Sequence, residues 1–186
     1  MLILGLDIST STVGYCFANH ESLSTGYRIN IVDIGYIDLS EFAKEQWMKK
    51  AKKVILTLTE LFKQNGKPEA AQIEDNLSGF KSGFTNMLII ILLAKFNGAV
   101  SFGLLLLHGL KIRHIHPTTA RKRAWGNTFR GATNVKESVL AEVLNKYPEL
   151  MDKFPVKKSG KNKGDFAKQA FDMADACTLA CCIPER

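Results

Sequence analysis

The 186-residue chain lacks a cysteine framework. Its four cysteines are Cys16, Cys177, Cys181 and Cys182, and three of them fall within one short segment. No pairing spans the chain, so a disulfide-stapled secreted fold is not expected. Cys177 and Cys181 stand one helical turn apart, a spacing zinc accepts. No second Cys/His pair matches it, so zinc is not expected and the cysteines read as small apolar side chains in a core helix. A basic leader segment is also missing. The opening run Met1-Leu2-Ile3-Leu4-Gly5-Leu6 meets Asp7 at once and does not read as a signal peptide. Uninterrupted apolar stretches are scarce. The longest, Met87 to Leu107, is broken by Lys95, Asn97, Gly98, Ser101 and Gly103, so a buried helix is expected there rather than a membrane span. A reducing cytoplasm fits these absences. Internal repeats and a second domain are absent too, and residues 1–186 read as a single domain with a basic loop at about 148–164.

Acid is absent between Lys111 and Lys136, where seven Lys or Arg residues stand. The whole chain carries a net charge of +7. Such an excess attracts polyanions, nucleic acid first and anionic membrane second. Arg121, Lys122 and Arg123 are contiguous, Arg130 and Lys136 follow, and Trp125 and Phe129 interleave. Contacts from this stripe to phosphates would weaken with salt, and Arg113, Arg121 and Arg130 are suited to bidentate ones. A solvated surface with Trp125 in the core is the plainer alternative. His114 and His116 flank a strand and are given no role.

Residues 2–7 read as a buried strand, Ile8 to Thr12 as a hydroxyl-rich turn, and Gly14 to Ala18 as the returning strand. Tyr27 to Leu39 alternates loosely and predicts a third strand with a bulge near Gly35. Ser40 is the expected N-cap of a helix running through Phe62 to Asn65-Gly66, with Lys49, Lys50, Lys52 and Lys53 mostly on its wet side. Strands at 71–74 and 111–116 and helices at 84–109, 135–147 and 165–183 complete a β-β-β-α-β-α-β-α order. Residues 148–164 read as loop, and Asp165 as the cap of the last helix. This is an α/β pattern with an antiparallel opening and parallel crossovers.

Asp7 ends the first strand and Glu74 the fourth. If these strands pair in parallel, both carboxylates emerge at the edge where α/β sheets commonly bind ligands. Asp172 and Asp175 are three apart on the last helix and share a face. Clustered carboxylates repel one another unless protons or a cation neutralise them. Mg²⁺ and Mn²⁺ prefer oxygen ligands, and two such ions can activate water and stabilise the departing oxygen in phosphodiester cleavage. Each carboxylate taken singly has a structural explanation: a turn cap, a strand end, a solvated helix face. The metal reading rests on their convergence. Lys136 is the candidate cation for charge developing on the phosphate, or a plain exposed lysine at a helix start.

Leu4-Gly5-Leu6-Asp7-Ile8-Ser9 through Gly14-Tyr15, Ala71-Gln72-Ile73-Glu74-Asp75, His116-Pro117 to Lys136-Glu137-Ser138, and Asp172-Met173-Ala174-Asp175-Ala176 occur in an order that resembles the RuvC family of Holliday-junction resolvases, within the RNase H-like superfamily. The resemblance covers most of the chain. It implies an RNase H-like α/β fold, with a five-stranded mixed sheet and helices on both faces. It implies a homodimer, joined through the helix at 84–108, that nicks opposed strands of a four-way DNA junction and leaves 5′-phosphate and 3′-hydroxyl ends. Mg²⁺ is the implied cofactor, two ions per active site, with Mn²⁺ able to substitute. Asp7, Glu74, Asp172 and Asp175 are the implied ligands, and Lys136 is their cationic partner. Family members carry an aromatic wedge soon after the glutamate; here Leu77 stands early and Phe80 later, which makes Phe80 a DNA-binding candidate without fixing the wedge. The lysine-rich 148–164 segment is longer than usual and suggests a divergent phage or viral member. Rival readings are another RNase H-like nuclease acting on branched DNA or RNA, a non-catalytic DNA-binding relative, and a sugar- or acetate-kinase-like ATPase. The last of these needs a second domain.

Overall fold

The computed structural model describes residues 1–24, 26–75 and 87–183. Its sheet is built around β1 (Leu2–Ile8), which is apolar on both faces because it lies centrally and is covered on both sides. β2 (Thr12–Leu23) and β3 (Gly26–Asp38) continue from it as an antiparallel meander. β4 (Ala70–Glu74) and β5 (Lys111–Ile115) add on its other side in parallel, giving the order β3-β2-β1-β4-β5. The five-stranded mixed sheet expected from the pattern is present.

Strand periodicity assigns the two faces. Leu4, Leu6 and Ile8, with Val13, Phe17 and Ile73, form one core with α1 (Trp47–Asn65) and α2 (Met87–His108). Gly5, Gly14 and Cys16 face the opposite side. There α4 (Val135–Lys146) and α5 (Lys168–Cys181) pack, and α3 (Pro117–Trp125) lies along α5.

Two glycines set the depth of α5. A Cβ at Gly5 would fall 2.1 Å from the Ala176 carbonyl oxygen, and one at Gly14 would fall 2.2 Å from that of Asp172. The helix backbone therefore rests directly on the β1–β2 hairpin, and 11 of its 14 residues are buried. The absence of a side chain is indispensable at these two positions, because it lets the helix descend.

Several expected boundaries move. The β-bulge expected near Gly35 falls three residues before it, where Val32 has no partner between the Phe17–Asp33 and Ala18–Ile31 pairs. Gly35 instead accommodates the ring of Tyr15, whose hydroxyl would stand 2.5 Å from a Cβ there. Helix α1 begins at Trp47 rather than after Ser40, because the Asp38 carboxylate accepts from the Ser40 N–H at 2.9 Å and holds that segment in a turn. Lys50 is not on the wet side. It is 2% exposed, on the stripe of Val54, Leu58 and Phe62, and its Nζ donates to the Thr10 carbonyl at 2.6 Å.

A helix the sequence reading did not assign, α3, forms within the basic stretch after β5. His116 accepts from the Thr118 N–H, Pro117 opens the first turn, and Gly126 closes the helix at a φ of 70°. The indole of Trp125 donates to the Thr178 hydroxyl at 3.0 Å and tacks α3 to α5. Part of 148–164 is also ordered. Pro148–Lys153 is a 3₁₀ turn that buries Leu150, and Phe154 follows it into the core. Asp165 pairs with Lys157 at 3.7 Å instead of capping α5, which starts at Lys168.

Helix α2 departs most from expectation. Only Phe96, Asn97, Val100 and Leu104 are buried, whereas Phe102 and Leu106 are 63% and 66% exposed. One stripe packs on α1 and the sheet, and the rest of an apolar surface is left uncovered. Met87–His108 is the one described helix long and apolar enough to cross a membrane by length and composition.

Candidate metal centre

The register places the acids. Leu6 pairs with Ile73 in parallel, so Asp7 and Glu74 follow side by side at the carboxyl ends of β1 and β4. Gly14 pairs with Asp7 across the hairpin and admits the backbone of Asp172. Asp175, one turn further along α5, then reaches the same point. Carboxylate oxygens of Asp7, Glu74 and Asp175 all lie within 4.8 Å of one another. Asp172 stands at the margin of this trio, joined to it through Lys136, whose Nζ is 3.7 Å from both Asp172 Oδ1 and Asp175 Oδ2. Arg121 reaches Asp175 Oδ1 at 3.6 Å.

Burial makes this arrangement costly. Asp7 is 7% exposed and Asp172 1%. Burial first, then Glu74, Asp175 and Asp172, hold the Asp7 carboxyl well above the usual range. Burial and then Asp175 push Glu74 to about 7, with Arg121 and Lys136 opposing. Asp172 and Asp175 are raised mainly by burial, with Lys136 as the chief counterweight. Burial alone would lower Lys136, but the surrounding carboxylates, Asp175 foremost, raise it on balance. Asp172 Oδ2 is buried without a hydrogen-bond partner. An oxygen-only donor set with surplus negative charge and an orphaned carboxylate oxygen fits a hard divalent cation of the Mg²⁺ or Mn²⁺ type.

A pH signature follows. A carboxyl whose folded pKa is raised binds more protons folded than unfolded between its two pKa values. For Glu74 that window runs from 4.5 to about 7, and stability falls as pH rises through it. With chelator present, the protein is expected to melt at a higher temperature near about pH 5 than near about pH 8. Glu74→Gln should flatten that slope, and saturating Mg²⁺ should stabilise the protein more at the higher pH. Thermal unfolding followed by circular dichroism checks this; a metal-free slope unchanged by Glu74→Gln contradicts it.

The basic residues disperse. Three successive side chains on a helix point in three directions, so Arg121 turns to Asp175 and Lys122 is exposed to solvent. Arg123 lies beside Cys182, as does Arg113 from β5. Cys182 is ten residues beyond Asp172, about 15 Å along a helix. Arg113 and Arg123 therefore lie toward the end of α5 away from Asp172. Arg130 is exposed after α3, and Phe80 lies outside the described residues. Trp125 and Phe129 are partly buried against the α4–α5 core, in accord with the plainer reading of Trp125. Sequence reasoning missed the contact of Arg121 with Asp175 and the buried ammonium of Lys50. The i, i+4 series Lys50-Val54-Leu58-Phe62 was the available signal for the latter.

The sheet order, the crossovers and helices on both faces define an α/β protein with the RNase H-like fold. Within that class the neighbours are RuvC-like resolvases. Thermus thermophilus RuvC matches with a TM-score of 0.62 at 13% identity, over 96% of this chain and 92% of that one. The same protein in complex with Holliday junction substrate matches with a TM-score of 0.65 at 13% identity, over 97% and 91%. The yeast mitochondrial Holliday junction resolvase Ydc2 matches with a TM-score of 0.54 at 18% identity, over 96% and 75%. No protein-family model and no curated protein matches the sequence. The resemblance read from short motifs thus extends to the fold of nearly the whole chain.

Proposed function

We propose that this protein is a Holliday-junction resolvase, a metal-dependent endonuclease that nicks opposed strands of four-way DNA junctions and leaves 5′-phosphate and 3′-hydroxyl ends. The observation that carries the reading is the convergence of the Asp7, Glu74 and Asp175 carboxylates within 4.8 Å, beside Lys136. Asp7, Glu74 and Asp175, with Asp172 at the margin, hold the metal. Mg²⁺ ions, two per site with Mn²⁺ as substitute, supply when bound a water of lowered pKa and charge stabilisation for the leaving oxygen. Lys136 bridges Asp172 and Asp175 and is half exposed, so its ammonium is free to meet a phosphate oxygen while fixing both carboxylates. Arg121 neutralises Asp175 and restrains its rotamer. Lys122 and Arg130 are positioned for backbone phosphates further out, with Arg113, Arg123 and Phe80 as secondary DNA-binding candidates.

The test is a substrate panel with Mg²⁺: four-way junction, flap, duplex and RNA–DNA hybrid of one sequence. Paired nicks confined to the junction are expected. Preferential cleavage of the hybrid or of flaps instead supports another RNase H-like nuclease.

The chain acts as one domain and as a homodimer in the cytoplasm, with α2 against a second copy. Its uncovered face is continuous with Met48 and Leu56 of α1, both exposed, and Leu107 of α2 lies against the same groove. A patch of this kind marks an interaction surface. Leu106→Glu is expected to shift the dimer to monomer in sedimentation velocity and to uncouple the paired nicks. A wild-type protein that sediments as a monomer while still making paired nicks removes the dimer, and one extracted only with detergent favours a lipid contact.

A further inference from the structure

Among the four buried residues of α2, Asn97 is the one polar side chain. It is 7% exposed on a helix that leaves Phe102 and Leu106 to solvent. A buried amide costs stability unless its hydrogen bonds are made, and here they are. Asn97 Nδ2 donates to the Glu74 carbonyl oxygen at 3.3 Å. Ser101, one turn on and on the same face, donates its hydroxyl hydrogen to Asn97 Oδ1 at 3.3 Å. A hydroxyl has one hydrogen to give, so His114 Nε2, 3.3 Å away on β5, is a donor to Ser101 Oγ. This series of bonds runs from β5 through α2 to the backbone of a carboxylate residue of the metal centre.

We propose, resting on the metal-centre reading, that Asn97 is a positioning residue: through the Glu74 carbonyl it sets the direction of the Glu74 carboxylate, and so the affinity of the centre for its divalent cation. The place of Glu74 in the sheet is the first argument. Asp175 is carried by a buried helix, and Asp7 lies in the central strand, paired with Gly14. Glu74 is the last residue of β4, and the pairing of β4 with β1 ends one residue before it, at Leu6–Ile73. Its backbone has the least support of the three. The peptide unit after Glu74 is the second argument. Its N–H, from Asp75, donates to the Ile115 carbonyl at 3.0 Å, and its C=O accepts from Asn97. One end is fixed on β5 and the other on α2. The unit is planar and stiff, so holding both ends restricts rotation about the Glu74 Cα and fixes where its side chain starts. Chemistry is the third. Leucine, of similar volume, would serve packing alone on so apolar a helix; what the amide adds is the bond. Bonds in series polarise one another, so Ser101 and His114 strengthen the hold of Asn97.

Asn97→Leu keeps the volume and removes the donor. Full-length wild-type and variant proteins are titrated with Mn²⁺ by calorimetry without DNA, with circular dichroism melting as the folding control. Mn²⁺ is expected to bind Asn97→Leu about tenfold more weakly, the low end for loss of a group that holds a metal ligand in place. On a four-way junction the Mg²⁺ concentration for half-maximal cleavage should rise about tenfold, while the rate at saturating Mg²⁺ stays within about twofold. Ser101→Ala should weaken Mn²⁺ binding about threefold by itself and add nothing to Asn97→Leu, since both act on one series of bonds. Val100→Ala, at a fully buried position of the same helix, is the packing control: it should lower the melting temperature and leave Mn²⁺ affinity unchanged. A folded Asn97→Leu with wild-type Mn²⁺ affinity overturns the assignment, as does a Val100→Ala that weakens Mn²⁺ equally. If Asn97→Leu does not fold, a Ser101→Ala with wild-type Mn²⁺ affinity overturns it instead. A wild type that binds no Mn²⁺ removes the metal centre itself, and one that binds Mn²⁺ but cuts no four-way junction overturns the resolvase reading alone.

Discussion

Asp7→Asn is expected to lower Mg²⁺-dependent cleavage of a four-way junction by more than about a hundredfold, because even outer-shell partners of a metal cost roughly 10- to 100-fold when lost. The substitution is isosteric and removes one anionic ligand from the centre of the trio. Asp7 is nearly buried, so junction affinity in the absence of Mg²⁺ should hold or rise, as a negative charge facing DNA phosphate is lost. The same change should raise the melting temperature of the metal-free protein. Asp7 suffers burial and the repulsion of Glu74, Asp175 and Asp172 together, and an amide escapes both penalties. Cleavage time courses, mobility shifts with chelator and thermal melts read the three effects on one preparation. Cleavage near the wild-type rate removes Asp7 from the metal site. A lower metal-free melting temperature shows instead that Asp7 is a structural cap.

Gly14→Ala should damage both stability and chemistry. Its Cβ would stand 2.2 Å from the Asp172 carbonyl oxygen and 2.5 Å from the carbonyl carbon, and backbone cannot swing aside as a side chain does. Helix α5 must lift from the hairpin. Overpacking of this kind typically costs about 1–3 kcal/mol, occasionally more, and a rigid backbone contact belongs at the upper end. Displacing Asp172 and Asp175 by about 1 Å should cost on the order of a hundredfold in rate. Gly98→Ala is the control. It lies in α2 with open space at its Cβ position, so a gain of up to about 1 kcal/mol is expected from helix propensity alone. Urea denaturation separates the two variants, and the idea fails if Gly14→Ala matches wild type in both stability and cleavage.

The acids were legible because their positions follow from local rules. Asp7 and Glu74 end apolar runs that must be central strands, and Asp172 and Asp175 share a helical face. The closeness of α5 was not legible. Gly5 and Gly14 look like ordinary strand glycines until the helix is known to lie on them. Helix α3 was hidden by its charge: Arg121, Lys122 and Arg123 obscure the few apolar positions, although Pro117 and Gly126 mark both ends. The burial of Lys50 contradicted its charge, and only its i+4 neighbours betrayed it. The extent of α2's exposure depends on what covers it in three dimensions, which hydropathy along one chain does not encode.

The burial of α5 also has a kinetic consequence. A helix with 11 of 14 residues buried, resting on two central strands, belongs to the last unit to open. Its amide hydrogens from Asp172 to Cys181 should exchange with solvent only through global unfolding. The carboxylates on it then have no private breathing mode: they cannot swing out to release a tightly held ion or product without the domain coming apart. Turnover must be timed by motions elsewhere, in the short α3 that carries Arg121 and at the start of α4 that carries Lys136, and exchange there should be faster by orders of magnitude than under α5.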